Sequence, residues 1–396
     1  MRKFMQSILA AAGFAATCSV GANVSGSDGS FGPISVDSGT QTIQLPPNGI
    51  INATTINVAA GATLAFDRNA LNTPVYLLAT GDITIAGTID IQGEFGTANG
   101  GGRGGPGGFD GGAPGRNGQP PGPGLGPGGG LGGLAIFGGA ANDDRAGFGA
   151  YATPGTTPTA KNGTTYGSPL MVPPVGGSGG GGHGPTGTII GGGGGGGAIV
   201  IASDTLVDIT GLIDATGPST NSSTPAGNSS GGGIRIVAPV VAGDGTLDVR
   251  GGGTAAQGQF GGSGRLRVDT IDLANVNFVF QPNSAITLGS FLVAIPPNLP
   301  RLDIVNVAGN DIPVGTQNAV DFILPFGTPN DQTITVRATN FDGMVPIRIV
   351  ISPQNGDPIV TDTEIDMGGN NVRDLLVPVD LPQNILVNIN VYGRDA

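Results

Sequence analysis

The sequence predicts an all-β fold, and three observations carry that prediction. First, Gly87-Thr88-Ile89-Asp90, Gly211-Leu212-Ile213-Asp214 and Gly245-Thr246-Leu247-Asp248 each follow apolar strand patterns and precede a glycine-rich stretch. The last two copies lie 34 residues apart, and a fixed period of that size marks a stacked repeat architecture. Second, Ala198-Ile199-Val200-Ile201, Ile234-Arg235-Ile236-Val237 and Arg265-Leu266-Arg267-Val268 align in columns. Ile199, Ile234 and Leu266 form one apolar column, and Ile201, Ile236 and Val268 form another. Val200, Arg235 and Arg267 stand between them, so that column faces away from the core by strand alternation. Third, good helix formers are scarce. Past the N-terminal segment the chain holds one lysine, Lys161, and two glutamates, Glu94 and Glu364, whereas the whole chain has 77 glycines and 31 prolines.

Residues 1–22 read as a secretory signal: Arg2 and Lys3, a short apolar core from Phe4 to Ala16, and the small-x-small end Val20-Gly21-Ala22. Cleavage is expected between Ala22 and Asn23. Export places the mature chain outside the cell or on its surface, with the periplasm as the alternative. Lipidation through Cys18 is the lesser reading, because Ala15-Ala16-Thr17 lacks the usual leucine and small final residue. Cys18 is the only cysteine, so no disulfide framework, thiolate nucleophile or thiolate metal site is expected in the mature chain. The net charge of −12 disfavours nucleic acid as a partner. No mature segment approaches the ~20 apolar residues of a membrane-spanning helix.

Residues 23–40, rich in Gly, Ser and Asp, read as an extended or disordered arm. The first coils occupy 41–93, with short strands at Thr42–Leu45, Thr54–Val58, Thr63–Phe66, Val75–Ala79, Asp82–Ile85 and Thr88–Ile91. Three such strands per coil, stacked in parallel, make a β-helix whose backbone groups pair with the coils above and below. The insertion at 94–197 holds 42 of the 77 glycines. Its interrupted register rules out collagen. A disordered or loosely packed segment is the expectation, and a bundle of polyproline-II-like strands is the competing one. The later coils occupy 198–295. Pro296-Pro297-Asn298-Leu299-Pro300 marks a boundary, and about seven alternating strands over 300–396 predict a small immunoglobulin-like β-sandwich. Asn355-Gly356 marks a tight hairpin turn there.

The phrases Gly193–Ala202, Ser230–Ala238 and Gly245–Gly252 resemble the glycine-rich β-solenoid surface and secreted proteins of Gram-negative bacteria. The resemblance spans about residues 50–270 and implies a right-handed parallel β-helix, exported, of a type whose function is generally unassigned. It supplies no catalytic residues.

Reactive chemistry is sparse. His183, the single histidine, sits in a glycine tract and reads as a solvated loop residue, so no catalytic residue is assigned. Asp90, Asp214 and Asp248 occupy equivalent positions. Either each ends a strand by bonding turn amides, or Asp214 and Asp248 share a Ca²⁺, the only cofactor the sequence suggests. Asn142-Asp143-Asp144-Arg145 reads as a solvated turn. Arg235, Arg250 and Arg267, with Arg265, share the later coils with Asp248 and Asp269 and are the candidate ligand-binding residues. The expected function is an exported, non-catalytic β-solenoid serving as a surface, adhesive or extracellular-matrix component. The alternative is a carbohydrate-binding module or a polysaccharide lyase or hydrolase working on that Arg/Asp face. Polysaccharide and cell-surface or matrix components are the expected partners.

Overall fold

The computed structural model describes residues 24–393 except 117, 135–144, 157–159, 185–188, 219–225, 255–258 and 317–319. The expected signal segment with Cys18, the expected Ala22–Asn23 cleavage site and Asn142-Asp143-Asp144 therefore lie outside the described residues. The protein is all-β, and its larger part is built from parallel sheets.

The chain opens with β1 (Gly32–Val36) and β2 (Thr40–Gln44), then β3 (Ile50–Val58) and β4 (Thr63–Asp67). Next come β5 (Val75–Ala79), β6 (Ile83–Ile85) and β7 (Thr88–Asp90). The insertion follows, then β8 (Ala198–Ser203), β9 (Leu206–Ile209) and β10 (Leu212–Asp214). The pattern repeats as β11 (Gly233–Val237), β12 (Val240–Ala242) and β13 (Thr246–Asp248). A small antiparallel pair, β14 (Gly253–Thr254) with β15 (Gln259–Phe260), precedes β16 (Arg265–Asp269), β17 (Val279–Gln281) and β18 (Ile286–Gly289).

Parallel pairing sorts these strands into three columns. The first half of β3 begins one column, followed by β5, β8, β11, β16 and β18. A second holds β1, the last residues of β3, β6, β9 and β12. The third runs β2, β4, β7, β10, β13, β17. From β5 to β13 each pass of the chain gives one strand to each column in turn. The two apolar columns of the first face are in register, Ile199–Ile234–Leu266 and Ile201–Ile236–Val268, and all six side chains are buried in one core. Burial of each such side chain is worth about 1.5–3 kcal/mol, so the alternation itself fixes which face turns inward. Phe278 and Phe280 meet edge to face at 6.1 Å against the same core.

The segment expected as a free arm is tied down. β1 joins the second column, and Ser25 donates its amide to Asp204 Oδ1 at 2.8 Å.

The glycine-rich insertion is ordered over its described residues, contrary to the expectation of disorder. Its hub is 191–197, whose amides reach three neighbours with a period of three. Gly191, Gly194 and Gly197 donate to Thr97, Glu94 and Ile91 at 2.8, 3.0 and 2.7 Å. Gly192 and Gly195 donate to Gly112 and Phe109 at 3.0 and 2.8 Å. Gly193 and Gly196 donate to Gly227 and Ser230 at 3.1 and 3.0 Å. Carbonyls of the hub in turn accept from Gly102 and Gly105 and from Gly177 and Gly180. A three-residue repeat is that of the polyproline-II helix, whose successive amides point in different directions. Close approach requires glycine. A Cβ at Gly195 would overlap the carbonyl of Gly177, and one at Gly192 that of Gly180. The bundle therefore compensates for its lack of side chains with interstrand backbone bonds, the route to order that a loose coil lacks.

Past the boundary lie two antiparallel sheets. One holds β20 (Asn310–Asp311), β19 (Arg301–Val307), β21 (Asp331–Thr339) and β24 (Val372–Asp380). The other holds β23 (Ile359–Asp366), β22 (Met344–Pro353) and β25 (Val387–Gly393). Ile334, Val336, Ile347 and Ile349 share their common core. The Asn355-Gly356 turn joins β22 to β23 as expected and docks on the bundle: Asn355 Nδ2 donates to the Pro120 carbonyl at 2.9 Å. Phe109 and Tyr392 add an edge-to-face contact at 5.9 Å.

Candidate functional site

The three aspartates stand side by side despite the long insertion, with Asp90 against Asp214 and Asp214 against Asp248 in adjacent strands. Each accepts the backbone amide two residues on. Gln92 donates to Asp90 Oδ1 at 3.1 Å, Thr216 to Asp214 Oδ1 at 3.0 Å and Arg250 to Asp248 Oδ1 at 3.0 Å. These are Asx turns, and they bend the chain from the third column into the glycine bundle at one corner. Burial, with the neighbouring Asp248 and Asp90 charges adding, raises the Asp214 carboxyl above its ordinary range, while the Thr216 hydrogen bonds pull it down. Arg250 reaches back to Asp248, two residues earlier in the chain, with Nη2 2.6 Å from Oδ2. The guanidinium is held above its usual range by that bond and by the Asp248 and Asp214 charges. Among the described residues, no group of three or more His, Cys, Asp or Glu side chains is arranged to hold a metal.

The arginine column does point away from the core, in register Val200–Arg235–Arg267, but it is not a solvent face. Arg235 is 0% exposed and Arg267 7%. The chain leaving β18 folds back across them, and Val24 and Ala294 pack with Leu78, Val200 and Val237 in a second apolar cluster. Arg235 donates through Nε and Nη2 to Asp269 Oδ2, both at 3.1 Å. Nη2 also reaches the carbonyls of Phe291 and Val293 at 3.1 and 3.0 Å, and Nη1 donates to that of Ala294 at 3.3 Å. Arg267 closes the cluster with Nη2 2.6 Å from Asp269 Oδ1. Burial pulls Arg235 below its ordinary range, and the Asp269 charge and hydrogen bonds oppose that shift. These arginines strap the polypeptide; they do not present donors to a ligand. Arg265 is likewise engaged, donating to the Tyr166 carbonyl at 2.7 Å and lying 5.4 Å from the Tyr151 ring centroid.

His183 is not a solvated loop residue. It is 1% exposed, and its backbone exchanges hydrogen bonds with Ile190, because glycine neighbours let strands close around it. Arg145, the described end of the charged island, donates to Gln259 Oε1 at 3.1 Å.

Sequence reasoning missed the open cleft of mixed lining on the outer face of β19, β21 and β24. A hollow of about 440 Å³ adjoins one of about 290 Å³, and Val314 and Arg337 line both. Arg337 Nε and Nη2 fork onto Asp374 Oδ1 and Oδ2, both at 2.7 Å. Arg301 Nε donates to Asp303 Oδ2 at 2.8 Å. The Arg337 guanidinium holds the Asp374 carboxyl below the usual carboxylate range. The alternation Thr333-Ile334-Thr335-Val336-Arg337-Ala338-Thr339 signals an outer polar row, but only pairing places Asp303 and Asp374 on either side of Arg337.

Among the described residues no helix is long and apolar enough to cross a membrane. Comparison with protein-family models, with curated proteins and with solved structures gives no match.

Proposed function

We propose that the protein is an exported, non-catalytic β-solenoid that serves as a surface, adhesive or extracellular-matrix component. The observation that carries this reading is the fate of its charged side chains in the coils. Arg235, Arg250, Arg265, Arg267, Asp248 and Asp269 are all engaged in internal bonds, and catalysis needs groups free to change partners at a reacting atom. The three parallel columns support a right-handed β-helix, since parallel crossovers are overwhelmingly right-handed. The terminal sheets support an immunoglobulin-like sandwich. Of the six long strands β19, β21, β22, β23, β24 and β25, the first, second and fifth share one sheet and the others form the second.

The alternative, a carbohydrate-binding module or a polysaccharide lyase or hydrolase on the Arg/Asp face, calls for Arg235, Arg250 and Arg267 to converge in an open groove; Arg235 and Arg267 are covered, and the exposed Arg250 is paired with Asp248. The reading is tested by incubating the mature chain with soluble and insoluble polysaccharides and with cell-surface preparations, with calcium or a chelator, and recording retention and sugar release. Retention without release supports it. Released oligosaccharides that disappear on mutation of Asp248 or Arg267 would overturn it.

A further inference from the structure

We infer that the cleft on the outer face of β19, β21 and β24 binds an uncharged, hydroxyl-rich saccharide. This deepens the adhesive reading by supplying a ligand class and a site of attachment. The two hollows, about 440 and 290 Å³, are shallow and open and meet at Arg337, so a ligand would lie along the sheet surface. Arg337 spends Nε and Nη2 on Asp374 and keeps Nη1 for a ligand. Arg301, bonded to Asp303 through Nε, keeps both terminal nitrogens. Their side chains are 35% and 51% exposed.

A sugar hydroxyl both donates and accepts. A guanidinium locked beside a carboxylate presents a preformed donor next to an acceptor, which matches two neighbouring hydroxyls. Because the Asp374 fork already fixes the arginine, little side-chain freedom is lost on binding. Ile312, Pro313 and Val314 add an apolar wall for the C–H face of a sugar ring.

Charge decides between sugar classes. Arg301 and Arg337 stand against Asp303, Asp311 and Asp374 in a chain of net charge −12. Uronate, sulfate or phosphate groups meet no net attraction there. The molecule carries its own control. Arg348 forks onto Asp362 at 2.7 and 2.8 Å on the other sheet, with the same chemistry and bordering neither hollow.

The test uses the full mature chain on an array of neutral and acidic glycans, followed by calorimetric titration of the strongest binder at low and high salt. Neutral glycans are expected to bind with little dependence on salt. Arg337→Ala is expected to weaken binding about tenfold or more, as loss of charge-assisted hydrogen bonds does. Arg348→Ala is expected to leave binding unchanged, with both variants melting together. Equal binding by the two variants, binding confined to acidic glycans, or no glycan bound at all would overturn the proposal. Surface adhesion, measured in parallel, separates the two readings. Adhesion retained in Arg337→Ala overturns this site and leaves the adhesive role standing. Arg337-dependent glycan binding by a chain that adheres to no surface does the reverse.

Discussion

Arg235 and Asp269 form an ion pair at 3.1 Å in which neither side chain is exposed to solvent. The same arginine holds three carbonyls of the 291–294 segment and lies 5.4 Å from the Phe291 ring centroid. One charged residue thus joins two neighbouring parallel strands, β11 and β16, to the chain that crosses over them.

Replacing Arg235 by Met is expected to destabilise the protein by about 3–5 kcal/mol, the scale for removing one partner of a buried pair. Arg267 still neutralises Asp269, which places the expectation toward the lower figure. Urea unfolding measures the loss, and amide exchange over 291–294 should rise with it. A variant that unfolds with the wild type would show that the strap contributes nothing.

The glycine hub makes opposite predictions for neighbouring residues. At Gly195 a methyl group would collide with the Gly177 carbonyl, whereas at Gly193 the nearest atom is Ser229 Oγ at 3.2 Å. Gly195→Ala should cost about 1–3 kcal/mol or more through forced backbone shifts. Gly193→Ala should cost clearly less, and Gly100→Ala, with open space around it, should be neutral or stabilising by about 0.4–1 kcal/mol. Limited proteolysis of the insertion ranks the three, and equal susceptibility would refute the packing argument.

Asp214→Asn should stabilise the protein at neutral pH by about 0.2–1 kcal/mol, the scale of a like-charge pair on adjacent strands. Asn keeps the turn acceptor and removes the charge. The sign follows from the raised carboxyl: its folded form holds the proton more tightly than the unfolded chain. The wild-type penalty is therefore present above the folded pKa and is relieved as pH falls toward the unfolded value. The benefit of the substitution should shrink with acidification in thermal melts. A benefit that grows in acid would show that desolvation and repulsion do not govern this site.

All four tyrosines titrate late. Burial pushes Tyr76 up to about 12 and holds Tyr151, Tyr166 and Tyr392 above their ordinary value. Near pH 11, about one unit above the free side chain, the folded protein should show little tyrosinate absorbance, and urea should release it. Because the unfolded chain loses these protons first, stability should begin to fall as pH rises through about 10. Full ionisation of the native protein at that pH would contradict the burial of these rings.

Much of the architecture was legible in the residues. The columns Ile199–Ile234–Leu266 and Val200–Arg235–Arg267 are the observed registers, because a period-two pattern repeated at near-constant spacing admits one pairing that keeps every apolar side chain inward. The Asp ladder was legible in the same way. The solvent status of Arg235 was not, since strand alternation states which way a side chain points and nothing about what later covers it; the covering segment lies more than fifty residues on. Order in the glycine block was legible only as the competing expectation, because it arises from backbone contacts between segments with almost no side chains to mark them. The cleft at Arg337 required three strands that the chain brings together from residues 301–307, 331–339 and 372–380. Local periodicity thus determined the strands and their facing, and tertiary structure alone decided which charges are buried, because burial depends on contacts between segments remote in the chain.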